Sequence, residues 1–98
     1  MAIIAIFDQP GMTQAQYEQV SNKVNRDRGL VKTPSDWPVP GLISHTSAPT
    51  PDGWYVADVW ESEEAFRRFS EVVLPLLREA GAPAVEPKIY PVFNLVTP

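Results

Sequence analysis

The chain has 98 residues, 44% hydrophobic and 20% charged, a composition that fits one globular domain over residues 1–98 and excludes a disordered chain. Its net charge is −4, and its bases (Lys23, Arg26, Arg28, Lys32, Arg67, Arg68, Arg78 and Lys88) are too scattered to form the basic stripe that nucleic acid needs. The lack of cysteine excludes disulfides, thiolate metal sites and Cys nucleophiles, and no apolar run approaches the roughly 20 residues that span a bilayer.

The expectation is a cytoplasmic protein that binds neither membrane nor nucleic acid. The opening "MAIIAIF" is too short and lacks the basic start of a signal peptide. A domain this small buries only roughly 60–65% of its unfolded surface, so a partner subunit would help it.

The Ile-rich run 2–8 predicts a strand buried on both faces, ended by "QPGM". Thr13 followed by Gln16 reads as a capping box. From there Ala15, Tyr17, Val20 and Val24 mark a helix that runs to Arg28, with Gly29 as its stop. Residues 29–40, "GLVKTPSDWPVP", have three prolines and no period, and so form a long loop, with Trp37 either a lid over a pocket or an anchor.

Strands follow at about 41–49 and 54–60, joined by the turn "TPDG". Ser62 caps a second helix, with Glu63 and Glu64 in its first turn and Gly81 at its end. Pro75 predicts a kink or break near Val72. "APAVEP" is a connector, and "KIYPVFNLV" (88–96) is the last strand, at an edge or bulged because of Pro91. The order β-α-β-β-α-β is that of an α+β ferredoxin-like domain: a four-stranded antiparallel sheet with two helices on one face.

Both parities of these strands are apolar: Ile3, Ala5 and Phe7 against Ile4 and Ile6, and Trp54, Val56 and Trp60 against Tyr55, Ala57 and Val59. A bare sheet face of that character predicts a second copy packed across a two-fold axis. If the second face closes over a cavity, Asp58, Asn94, Tyr90 and His45 are the polar groups available to line a small-molecule site.

Register decides whether His45 meets Asp58. A two-residue loop at Pro51-Asp52 sets them opposite each other, whereas a type I turn with a bulged Gly53 sets Asp58 opposite Thr46. The "PDG" chemistry favours the bulged form. Paired, Asp58 would fix the imidazole tautomer and make His45 a general base; unpaired, His45 is a hydrogen-bonded strand residue and Asp58 a cap or an ion-pair partner. Trp60, Trp54, Tyr90 and Asn94 read first as core or interface residues and second as pocket walls, and Tyr17 reads as helix-face packing that is also placed to line a pocket. One His and one Asp do not make a metal set, and no Gly-rich phosphate loop or nucleophile elbow is present.

The segment Asp58-x-Trp60-x-Ser62-x-Glu64-Ala65-Phe66 resembles the dimeric α+β barrel superfamily, and within it the antibiotic biosynthesis monooxygenase-like proteins. The resemblance implies a homodimer with one ligand cavity per subunit, between sheet and helices or within the barrel. It also implies a cofactor-free monooxygenase, cyclase or isomerase acting on an aromatic or polyketide-like intermediate, or a non-catalytic dimer. Many relatives have a histidine where Phe69 stands, so a haem-degrading activity lacks its usual ligand. His45 takes no role from the resemblance. Its candidacy as a base, with Asp58, rests on the residues alone.

Overall fold

The computed structural model describes residues 1–83 and 85–98; Ala84, inside the predicted connector, lies outside the described residues. The elements, in chain order, are β1 (Ile3–Pro10), α1 (Gln14–Val24), β2 (Leu42–Thr50), β3 (Gly53–Trp60), α2 (Glu63–Glu79) and β4 (Lys88–Pro91), with a short 3₁₀ turn at Pro34–Asp36 in the loop before β2. The sheet order is β2-β3-β1-β4 and every adjacent pair is antiparallel, as the ferredoxin-like plan requires.

Alternation divides the sheet into two faces. Ile3, Ala5 and Phe7 of β1, with Trp54, Val56, Asp58 and Trp60 of β3, are buried under the helices. Trp60 is completely buried, 6.1 Å from Phe66 and 5.2 Å from Phe69 of α2 between ring centroids, and Phe7 lies 6.0 Å from Phe66. These rings form the floor of the core. The opposite face carries Ile4, Ile6, Ala57 and Val59, half-buried, with Tyr55 and Tyr90 exposed. The strand predicted to be buried on both faces is thus closed on one side only within a single chain.

Thr13 and Gln16 form the capping box: the Gln16 amide donates to Thr13 Oγ1 at 3.1 Å and the Thr13 amide to Gln16 Oε1 at 3.0 Å. Gln16 Nε2 also donates to the carbonyls of Ala80 and Gly81, so the start of α1 satisfies the end of α2. The helix stops at Val24, a turn earlier than predicted. Arg26 and Asp27 take positive φ, and the buried Asn25 turns its side-chain amide to the carbonyls of Gly29 and Leu30. Its carboxamide chemistry, which competes with helix propagation, ends α1 before Gly29 is reached.

Of the kink or break predicted near Val72, the break does not occur, because α2 is one continuous helix with Pro75 inside it. Pro75 lies on its exposed side, so the Glu71 carbonyl left without a donor faces water. The last strand, by contrast, is shorter than predicted. Pro91 ends it, one further bond joins the Val92 amide to the Ala2 carbonyl, and residues 93–98 leave the sheet exposed.

Candidate active site

The hairpin takes the unbulged register at its turn: Thr50 pairs with Gly53, and His45 pairs with Asp58. The expectation of a bulged Gly53 fails for a steric reason. Gly53 is not in the left-handed region; it lies against β1, where a Cβ would stand 2.1 Å from the Gln9 carbonyl oxygen. The glycine serves close approach of two strands, not turn geometry. The irregularity in this ladder comes instead between Leu42 and Ser44, beyond His45.

Both side chains therefore point to the helix-covered face. The cavity they line lies there, between sheet and helices. Its walls include Phe7 and Val56 from the sheet, Tyr17 and Val20 from α1, and Phe69 and Val73 from α2. Trp37 closes it from the loop, and His45 and Asp58 form its polar end. The free interior is about 70 Å³.

Asp58 is 2% exposed and His45 17%, and Nδ1 of His45 lies 2.5 Å from Asp58 Oδ1. A buried carboxylate without a partner is strongly unfavourable, and His45 is the partner the Asp58 side chain finds among the described residues. An ionised Asp58 accepts a hydrogen bond from Nδ1–H, which leaves Nε2 as the acceptor of the ring. The Tyr17 hydroxyl lies 2.7 Å from that nitrogen. Tyr17, His45 and Asp58 thus form one chain of hydrogen bonds from α1 across β2 to β3.

The phenol of Tyr17 is pushed above its ordinary value, mainly because burial disfavours the phenolate. The Ser47 and Ser21 hydroxyls lower it in part, and the Asp58 charge adds to the rise. Trp54 stacks on Tyr17 with centroids 5.0 Å apart, and Trp37 lies 4.8 Å from the imidazole centroid at 59°. The indole N–H of Trp37 is buried and unpartnered.

The loop that presents Trp37 is tied to α1 and braced within itself. The Val31 amide donates to Ser21 Oγ of α1. Asp36 Oδ2 accepts from the amides of Lys32 and Thr33 at 2.8 and 3.0 Å, and these bonds hold its carboxyl below the usual carboxylate range.

Of the residues singled out from sequence, His45, Asp58, Tyr17 and Trp37 come together. Trp60 sits behind the cavity, packed against its wall residue Phe69. Tyr90 is on the opposite face and 51% exposed, and Asn94 lies past the end of β4, also exposed. Neither reaches the cavity, because the alternation that turns Ala5 and the half-buried Ile89 to the helix side turns Tyr90 outward with its β1 partner Ile4. Sequence reading missed Ser47 and Ser21 beside Tyr17. Ser47 shares the parity of His45, and Ser21 is one helical turn from Tyr17. Among the described residues no group of three or more metal-ligating side chains occurs, and no helix is long and apolar enough to cross a membrane.

The fold and site together define a ferredoxin-like α+β domain with an apolar pocket between sheet and helices and a buried His–Asp pair at its polar end. In structure the chain is similar to SnoaB, a cofactor-independent oxygenase from Streptomyces nogalater. Alignment with a point mutant of SnoaB gives a TM-score of 0.59 at 17% identity. A second structure of SnoaB gives 0.58 at 20% identity, and each comparison covers 97% of this chain and 94% of the other. No family model and no curated protein matches the sequence. At these identities the likeness establishes the fold.

Proposed function

We propose that the chain is a homodimeric tailoring enzyme in which His45, oriented by Asp58, drives removal of a proton from an aromatic or polyketide-like intermediate. The observation that carries this reading is the His45–Asp58 contact in a cavity whose walls are mainly apolar. Asp58 fixes the tautomer and stabilises the imidazolium that proton uptake creates. The apolar walls favour a ring system whose negative charge, once formed, is delocalised.

A methylene between aromatic rings that loses a proton can add O₂ directly. The resulting hydroperoxide loses water to leave a ketone, and the electrons come from the substrate, so neither flavin nor metal is needed. The likeness of the fold to a cofactor-independent oxygenase supports oxygenation over cyclisation or isomerisation.

The test uses anthrone as a probe carbon acid, with O₂ uptake followed in air and deuterium exchange at its central methylene followed without air. The wild type accelerates both. His45→Gln, whose amide still donates to Asp58, keeps the fold and loses about 10²–10⁴-fold in rate. Equal rates for wild type and variant overturn the reading.

One observation favours a second reading, a non-catalytic binding dimer. A free interior of about 70 Å³ holds a few waters, whereas small-molecule sites run to roughly 300–1,000 Å³. Saturable binding of anthrone with no exchange and no O₂ uptake would establish that alternative.

A further inference from the structure

We infer that Tyr17 is a catalytic residue: its hydroxyl meets the substrate and passes the substrate proton to His45. This rests on the proton-abstraction reading of the cavity and changes which atom does the abstracting. Neither nitrogen of His45 is free to approach a ligand. Nδ1 is taken by Asp58 at 2.5 Å and Nε2 by Tyr17 at 2.7 Å. Trp37 lies across the imidazole at 4.8 Å, which closes the approach over the ring.

Tyr17 has what His45 lacks. It lines the cavity, and its oxygen, beside the Ser47 and Ser21 hydroxyls, is an acceptor as well as the donor to Nε2. Its ring is held by Trp54 at 5.0 Å, and its helix is fixed at its start by the Thr13–Gln16 capping box. Burial keeps the phenol protonated at rest, so Tyr17 alone is no base and becomes one only as it gives its proton to His45.

The step balances. The substrate C–H bond breaks and its proton joins Tyr17 Oη; the Oη–H bond breaks and that proton joins His45 Nε2; the electron pair stays on the substrate carbon. The imidazolium is then paired with ionised Asp58, and the reverse transfers restore the resting state. A productive substrate brings its acidic C–H to Tyr17 Oη.

The experiment compares wild type, Tyr17→Phe and protein carrying difluorotyrosine at position 17. It measures anaerobic deuterium exchange into anthrone and the nitrogen-15 NMR signals of His45. Tyr17→Phe should lose about 10²-fold or more in exchange while the Nδ1 proton shared with Asp58 stays in place. The fluorinated phenol should change the exchange rate and its pH profile, which a residue that only packs would not do.

The relay is overturned if Tyr17→Phe keeps the wild-type exchange rate, or if Nε2 of the resting enzyme already bears a proton. A wild type inactive on anthrone defeats the functional reading instead. The relay is then decided by NMR: an unprotonated Nε2 whose signal moves in Tyr17→Phe supports it, and a protonated Nε2 overturns it.

Discussion

Gly53 packs so tightly against Gln9 that a Cβ at residue 53 would stand 2.1 Å from the Gln9 carbonyl oxygen and 2.8 Å from the Cα of Pro10. Both obstacles are backbone and cannot rotate away. Gly53→Ala therefore has to part β3 from β1 at the turn or shift the hairpin. Overpacking of this kind costs about 1–3 kcal/mol, which urea unfolding would measure. A shift by one residue would also separate His45 from Asp58, so the variant should lose the His45 Nδ1 proton signal. Full stability with that signal intact would show that the glycine does not set the register.

The register shows where sequence reasoning stops. The element order, the Thr13 and Ser62 caps and the parity of each strand follow from local chemistry, and the structure has them. The parity of Val56 and Trp60 even assigns Asp58 to one sheet face. What it leaves open is which face the helices cover, because both are apolar, and so the side of the sheet on which His45 and Asp58 meet a cavity is fixed only by the folded structure. The turn sequence "PDG" favours a bulge, and it is the tertiary contact of Gly53 with Gln9 that goes with the unbulged register. Tyr17 reads as helix packing because nothing in the sequence places α1 over β2. The match between Tyr17 and His45 exists only after folding.

Asp58→Asn tests the tautomer. The neutral side chain cannot stabilise an imidazolium, and its amide group offers donors as well as an acceptor. The variant should fold and lose about 10²–10⁴-fold in exchange activity. Removing only the histidine is harsher for stability. His45→Leu leaves the Asp58 carboxylate buried and unpaired, at a cost of about 3–5 kcal/mol, while the double variant His45→Leu, Asp58→Leu should recover most of that loss. Chemical denaturation of the single and double variants reads the difference. An unchanged midpoint for His45→Leu would contradict the buried pair.

Tyr17 should ionise late. Burial raises its phenol above its ordinary value near about 10, so the native state holds the proton more tightly than the unfolded chain does. Its contribution to stability is full below the unfolded value and is lost as pH rises through the folded one. Ultraviolet titration should show one late phenolate that is missing in Tyr17→Phe, followed by alkaline unfolding. A single titration step shared by all the tyrosines would refute it.

The Trp37 loop should loosen in acid. Asp36 is held below the usual range by the amides of Lys32 and Thr33, so its contribution is full above the unfolded value and declines as pH falls through the depressed folded one. Protonation weakens both bonds and frees the turn that presents Trp37 to His45. Near-ultraviolet circular dichroism should lose intensity over that acid range before the far-ultraviolet signal falls. Asp36→Ala should show the weakened signal already at neutral pH. Simultaneous loss of both signals in the wild type would mean that Asp36 does not hold the loop separately.

The helix-free face supplies the test of assembly. Ile4, Ile6, Ala57 and Val59 form an apolar stripe there, flanked by the exposed rings of Tyr55 and Tyr90, and Phe93 and Val96 stand in the exposed segment beyond β4. Isolated exposed apolar residues are ordinary, but a contiguous sheet face of this kind predicts an interface, and a two-fold pairing would cover it on both copies at once. Sedimentation should find a dimer in dilute solution. Ile6→Lys, placed at the middle of the stripe, should yield a folded monomer with the His45–Asp58 contact intact, because that contact lies across the sheet on the other side. A wild type that sediments as a monomer at every concentration tested would rule out the dimer while leaving the cavity chemistry to be judged on its own.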